Sequence, residues 1–169
     1  MSGVEVRLLR SEEAPLYVAL RREMLAESPW SFGADPDRDP GLDEAGVRRS
    51  LAERWGYAMA GAVEGGRLAS VGVLIRSSGA KAGHNAAIVS VYTTPARRGA
   101  GLSTRVMGLM IETARAWEGV SHLRLSVSER APEARRLYER LGFAAWGTEP
   151  GALRVGGELL DEVYMSLEL

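Results

Sequence analysis

The chain has 169 residues, of which 46% are hydrophobic and 25% charged, a composition typical of one soluble globular domain. Its formal net charge of −1 argues against binding to nucleic acid or to a membrane surface. Cysteine is absent and histidine occurs only twice, which excludes disulfides, a thiolate nucleophile and a histidine-rich metal site, so we expect no metal.

The sequence carries no signal for secretion or membrane insertion. Its first residues lack the apolar core of a signal peptide. No run of about 18 apolar residues is present to span a bilayer. We therefore expect a cytoplasmic protein.

The N-terminal third predicts one strand and two helices around a long loop. Val4, Val6 and Leu8 alternate with polar residues, as in a strand. Ser11 is expected to cap a helix over residues 11–28, because acidic residues follow it in the first turn. Residues 28–42 contain three prolines and two glycines, and a loop of this length is often functional. A second helix is predicted over residues 43–54.

The remaining residues predict a hairpin and then alternating strands and helices. Glycines at the EGGR turn, residues 64–67, suit a tight hairpin, and Gly119 is expected to end a helix. Together the elements predict a single domain over residues 1–169, an α/β (α+β) fold with about seven strands and about four helices. The sheet is expected to be mixed, antiparallel early and parallel late. Further strands are predicted at 57–63, 68–75, 86–93, 123–127, 143–146 and 162–167, helices at 102–117 and 132–141, and a turn at 149–157.

A basic, glycine-containing loop (residues 95–101, the glycine loop) joins the strand at 86–93 to a helix. Its Gly99 and Gly101 let the backbone approach a ligand closely. A helix N-terminus attracts anions, and Arg97, Arg98 and Arg105 add positive charge. The pattern predicts a pyrophosphate site, although it is also compatible with an ordinary turn. Neither the nucleotide-hydrolase motif nor the dinucleotide GxGxxG is present.

The spacing Arg98-x-x-Gly101-x-Ser103 resembles the acyl-CoA loop of the GCN5-related N-acetyltransferase (GNAT) family, whose pattern is Arg/Gln-x-x-Gly-x-Gly/Ala. A second family block resembles the stretch LSVSERAPEARRLYERLGF. It matches at Ala134, Leu137, Tyr138, Gly142 and Phe143. Two further stretches resemble the corresponding segments of family members, the early LRREMLAESPWSFG and the C-terminal stretch from Gly147. The resemblance therefore covers nearly the whole chain.

The resemblance implies a splayed sheet with acetyl-CoA as co-substrate between the strands at 86–93 and 122–127. The pantetheine arm would pair with the backbone of Val91, Tyr92 and Thr93. The pyrophosphate would lie on the loop and helix start formed by Arg98, Gly99, Ala100, Gly101, Leu102, Ser103 and Thr104.

Two positions depart from the family pattern. Ser103 replaces glycine or alanine, and its hydroxyl could cap the helix or contact phosphate. Ala131 replaces asparagine, so that a helix cap is lost, and either Ser128 or water could replace it.

The resemblance also implies an N-acetyltransferase in which a primary amine attacks the thioester directly. Tyr138 would donate a proton to the departing thiolate, or would be a core tyrosine. Glu23, Glu27, His84 and a water chain stay open as routes for the amine's proton, whereas His122 is expected to be structural.

The acceptor and the assembly are the least specified features. Trp30 and Phe32 either anchor their loop to the core or line an acceptor pocket. A small-molecule amine is favoured on that account, with a protein amine as the alternative. Family resemblance favours a homodimer. The rival hypothesis is a non-catalytic acyl-CoA-binding sensor or interaction domain.

Overall fold

Seven strands form one mixed sheet in the computed structural model, which describes residues 3–169. The sheet order is β1-β2-β3-β4-β5-β7-β6. The strands are β1 (Glu5–Leu8), β2 (Tyr57–Glu64), β3 (Arg67–Arg76), β4 (Asn85–Thr93), β5 (His122–Ser128), β6 (Ala144–Val155) and β7 (Glu158–Glu168), and the helices are α1 (Ala14–Glu27), α2 (Glu44–Glu53), α3 (Leu102–Ala116) and α4 (Pro132–Arg140).

The helices cover both faces of the sheet and create two cores. On one face, Met107 and Met110 of α3 and Leu137 of α4 pack against the strands. On the other face, Met24 of α1 and Leu51 of α2 do the same. The chain is therefore a three-layer structure, and the predicted α/β class with a splayed mixed sheet and four helices is confirmed. Within residues 3–169, none of the helices has the length and apolar character needed to cross a bilayer.

The prediction that the late part of the sheet is parallel holds for one strand pair only. Strands β1 to β4 are antiparallel as expected, but only β4 and β5 pair in parallel. The final hairpin folds back so that β7, and not β6, lies beside β5 in antiparallel register. A tight hairpin can only return antiparallel.

Two local predictions also need correction. The turn expected at 149–157 is mostly strand, because register shifts in the edge strand β6 absorb Pro150 and Gly151, and the chain turns at Gly156 and Gly157. Ser11 does not cap α1, since residues 11–13 form a separate short turn and the Ser11 hydroxyl bonds Glu12.

Glycines on two neighbouring elements give a test of the packing. A Cβ at Gly72 of β3 would meet the Cε and Sδ atoms of the fully buried Met110, whereas a Cβ at Gly108 of α3 would meet nothing within 4 Å. We expect Gly72→Ala to lower the free energy of unfolding by about 1–3 kcal/mol through overpacking. Gly108→Ala should raise it by about 0.5–1 kcal/mol, because alanine favours the helix. Urea denaturation of both variants measures the two changes in the free energy of unfolding. Equal changes would contradict the described packing.

Candidate active site

The centre of the site is a gap between β4 and β5. The two strands pair only at Asn85–His122, Ala86–Leu123 and Ala87–Arg124, and then diverge. Beyond that point the facing backbone of residues 88–93 and 125–128 has no partner strand across the gap. Backbone N–H and C=O groups require hydrogen-bond partners, so the gap can receive an extended ligand as an added strand.

A bulge in β4 lies beside this gap. Val73 pairs with Val89 and Val71 with Tyr92, so that Ser90 and Val91 together face the single residue Gly72. Ser90 has a φ of +55°, a left-handed conformation uncommon for residues other than glycine. Bulges bend a strand and redirect its backbone. The bulge therefore orients β4 at the point where the gap opens.

Two cavities meet in the gap. The first (the gap cavity, about 610 Å³) is lined by residues of β4 and β5 and by residues of β6 and β7. The second (the loop cavity, about 680 Å³) is lined by the glycine loop and α4. The residues that line both are Ser31, Phe32, Val91, Ala131, Ala134 and Tyr138.

The glycine loop presents its backbone to the loop cavity. Gly99 and Gly101 have φ angles of +79° and +74°, and a Cβ at either would meet nothing within 4 Å. Gly101 is also the N-cap residue of α3 and offers no capping side chain. The first amides of α3 are thus left for an anionic ligand.

Acidic side chains from α1 hold this loop in place. Glu27 accepts a hydrogen bond from Arg98 Nη2 at 2.7 Å, and Arg98 Nε donates to the carbonyl of Thr93 at 3.1 Å. Glu23 accepts from the Tyr92 hydroxyl at 3.0 Å and from Thr94 Oγ1 at 2.5 Å. The hydrogen bond with Glu27 raises the pKa of Arg98, so the guanidinium stays charged. Glu23 and Glu27 line neither cavity, and their hydrogen bonds support the loop.

Of the two roles open to the Ser103 hydroxyl, capping of α3 is not observed. Ser103 Oγ lies 2.7 Å from Thr93 Oγ1, which is in turn 2.8 Å from Ser70 Oγ. Ser70 then donates to the carbonyl of Tyr92. The hydroxyl is engaged with the strands because Ser103 lies inside the first turn of α3 and faces β4. Its backbone still belongs to the wall of the loop cavity.

Ser128 does not replace the missing cap at Ala131 either. Its hydroxyl accepts weakly from the Arg130 amide at 3.3 Å, and its carbonyl accepts from the Ala131 amide at 2.9 Å. These contacts close the turn before α4, and Ala131 forms no side-chain cap. The lost asparagine is therefore not compensated by a neighbouring side chain.

Tyr138 lies where the two cavities join. Its side chain is 6% exposed and packs edge-on to Phe143 with ring centroids 6.1 Å apart. Burial raises the pKa of its phenol, with no contribution from a hydrogen bond or charge. The phenol is thus protonated at neutral pH and can donate a hydrogen bond into the gap.

The two histidines lie at the closed end of the gap. Their rings are 5.8 Å apart and edge-on, beside the Asn85–His122 pair. Neither lines a cavity of the gap, so His84 is not placed to take a proton there. Among the described residues, no group of three histidine, aspartate or glutamate side chains could hold a metal.

The two aromatic residues of the 28–42 loop, Trp30 and Phe32, differ in the cavities that they line. Phe32 lines both cavities, whereas Trp30 lines only the loop cavity. Sequence inspection missed several lining residues, because they lie on irregular or sequence-distant segments. These are Arg21, Ser90, Trp146, Glu162 and Tyr164, and only Arg21 left a signal, as a charge on the apolar face of a helix.

Comparison with known proteins identifies the class. Residues 17–143 match the model of the acetyltransferase (GNAT) family, and the chain belongs to this family of N-acetyltransferases. No curated protein matches the sequence.

Solved structures share the fold at low sequence identity. A GNAT-family acetyltransferase from Streptococcus pneumoniae superposes with a TM-score of 0.88 at 19% identity, covering 99% of this chain and 100% of that chain. The putative acetyltransferase yncA from Salmonella typhimurium, solved with its cofactor acetyl-CoA, gives 0.85 at 20% identity, covering 99% and 95%. Ribosomal-protein-alanine N-acetyltransferase from Brucella melitensis gives 0.83 at 20% identity, covering 98% and 99%.

The Glu27–Arg98 contact makes stability depend on pH. The Arg98 hydrogen bond, followed by that from Ser28, lowers the pKa of Glu27 in the folded chain. A lowered folded pKa stabilises the fold above the unfolded pKa of about 4.3, and this contribution is lost as the pH falls through the folded value. Both side chains are partly exposed. We therefore expect Glu27→Gln to cost roughly 0.5 kcal/mol at about pH 7 and progressively less as the pH falls towards about 3.

Urea denaturation at the two pH values measures this difference. Glu118→Gln, a substitution at an exposed glutamate elsewhere, serves as the control and should change stability little at either pH. A loss for Glu27→Gln that persisted in acid would mean that the contact acts through packing and not through charge.

Proposed function

We propose that the protein transfers the acetyl group of acetyl-CoA to the primary amine of a small molecule. The observation that carries this proposal is the junction of two cavities at Tyr138, beside a strand whose backbone has no partner across the gap. One cavity is bounded by an anion-binding loop and the other by β5, β6 and β7. This arrangement suits two substrates that meet end to end.

The co-substrate is assigned to the loop cavity and the adjoining edge of β4. Val91, Tyr92 and Thr93 would pair through their backbone with the pantetheine amides, as in an added strand. The pyrophosphate would accept hydrogen bonds from the amides of residues 98–104, where the dipole of α3 adds attraction. This placement leaves the thioester near Val91 and Tyr138, where the cavities join.

The reaction then needs few protein groups. The amine nitrogen attacks the carbonyl carbon and forms a C–N bond, the C–S bond breaks, and the electron pair stays on sulfur. Positioning supplies much of the acceleration, since both reactants are held together. A backbone amide of the β4 bulge is suited to donate to the carbonyl oxygen as negative charge develops there.

Tyr138 is assigned the role of proton donor to the leaving thiolate. Its protonated phenol would donate a hydrogen bond to the sulfur and give up its proton as thiolate charge builds. The raised pKa keeps the proton on oxygen until that charge appears. The phenol is then reprotonated from water.

A group in the gap cavity is assigned to accept the proton that the amine loses. Glu162 of β7 is the one carboxylate among the described residues that line this cavity. It would accept the proton directly or through water. At about 610 Å³ the cavity falls within the usual size range of small-ligand sites, which favours a small-molecule acceptor over a protein terminus.

The glycine loop provides a direct test of acetyl-CoA binding. We expect Gly101→Asp to weaken binding by at least about tenfold, because it adds a negative charge at a helix N-terminus where phosphate would lie. Gly66→Asp is a matched control, since Gly66 has a similar φ of +76° and equally open surroundings, but lies in the β2–β3 turn. Calorimetric titration of acetyl-CoA measures both, and equal affinities would refute the assigned phosphate site.

Tyr138 gives a test of the chemistry. Tyr138→Phe should lower kcat by about 10²-fold and leave the KM for acetyl-CoA nearly unchanged, as expected for loss of a general acid. Tyr57→Phe, at another phenol whose pKa is raised by burial, is the control. Amine-dependent release of CoA thiol is the measurement. Acetyl-CoA binding without thiol release for any amine would instead favour a non-catalytic sensor.

A further inference from the structure

A buried ion pair lies beneath the β4 bulge. Arg21 of α1 bonds Asp39 of the 28–42 loop, with Nε and Oδ2 2.5 Å apart. Their side chains are 8% and 4% exposed. Burial of two charges carries a desolvation cost that their attraction often only balances. Stability alone is therefore a weak explanation for this pair.

The same guanidinium reaches the bulge itself. Arg21 Nη1 donates to Ser90 Oγ at 3.0 Å, across 69 residues of sequence. It also lies over the ring of Phe32 at 5.6 Å. One side chain thus joins the helix α1, the loop that forms a cavity wall and the strand that borders the gap.

Ser90 is held in a conformation that its own backbone does not favour. Its φ is +55°, and non-glycine residues at such angles persist where their surroundings fix them. Ser90 and Val91 share one partner position across from Gly72, so a change at Ser90 moves Val91. Val91 lines both cavities at their junction.

We infer that Arg21 is a positioning residue for acetyl transfer. Through Ser90 it fixes the bulge and so the backbone of Val91 beside Tyr138, and through Asp39 it couples the bulge to the loop that carries Phe32. This inference rests on the proposed function. It differs from a purely structural role because it requires a loss of turnover that exceeds any loss of acetyl-CoA binding.

The least disruptive test removes only the hydroxyl contact. Ser90→Gly suits the positive φ and leaves the Arg21–Asp39 pair intact, so that we expect the fold to be retained. A misplaced reacting geometry of about 1 Å can cost on the order of 10²-fold in rate. We therefore expect kcat to fall at least about tenfold, while the Kd for acetyl-CoA changes by less than about threefold.

A second pair of variants tests the arginine directly. Arg21→Met removes the contacts with Asp39 and Ser90, and Arg22→Met changes the exposed neighbour on the same helix as a matched control. We expect Arg21→Met, and not Arg22→Met, to reproduce the loss of kcat and to shift the backbone amide resonances of residues 89–92. Arg21→Lys should not restore turnover, because one ammonium cannot reproduce the planar fork that reaches Asp39 and Ser90 together.

The outcomes separate this inference from the proposed function. If Ser90→Gly and Arg21→Met turn over at the wild-type rate and leave the amide resonances of residues 89–92 in place, Arg21 only anchors the loop and the inference is wrong. If the wild-type protein neither binds acetyl-CoA nor acetylates amines, the proposed function fails. In that case the amide resonances still show whether Arg21 holds the bulge.

Discussion

The structure depends on the divergence of two parallel strands. β4 and β5 pair over three positions and then separate, which leaves backbone polar groups facing an opening instead of each other. Such groups cost free energy when they lack partners. The surrounding elements keep the opening from closing: the bulge bends β4, β7 occupies the other edge of β5, and the helices seal both faces of the sheet. A site for an extended ligand follows from this one irregularity.

Positive side chains beside the opening have acidic partners, and the chain as a whole is nearly neutral. The net charge is −1, and the two arginines of the glycine loop are paired with carboxylates, Arg98 with Glu27 and Arg97 with Glu64. Backbone amides at the start of α3 and the dipole of this helix add positive potential for an anion. The acidic residues of α1 shape the loop, and the buried Arg21 links the same helix to the bulge. The first helix thus supports both the glycine loop and the β4 bulge beside the gap.

Much of the fold could be predicted from local patterns, and much of the site could not. The glycine loop, its helix and Tyr138 lie within contiguous motifs, so local pattern together with the family resemblance located them. The contacts of Ser103 and the role of Glu27 depend on strands and helices brought together by folding, and no local pattern encodes them. The extent of β6 was missed because Pro150 and Gly151 signal a turn in sequence but occupy bulges on an edge strand. Arg21 shows the same limit, since its partners Asp39 and Ser90 are 18 and 69 residues away.

We propose that acetyl-CoA pairs with the unpartnered edge of β4 and with the glycine loop. Amide hydrogen exchange with and without acetyl-CoA tests it most directly, because exchange reports backbone hydrogen bonding residue by residue. We expect slower exchange at residues 88–93 and 98–103 in the presence of acetyl-CoA, with the amides of β1 and β2 unchanged. Exchange that stays the same in those two segments while acetyl-CoA is bound, or slows only elsewhere, would contradict it.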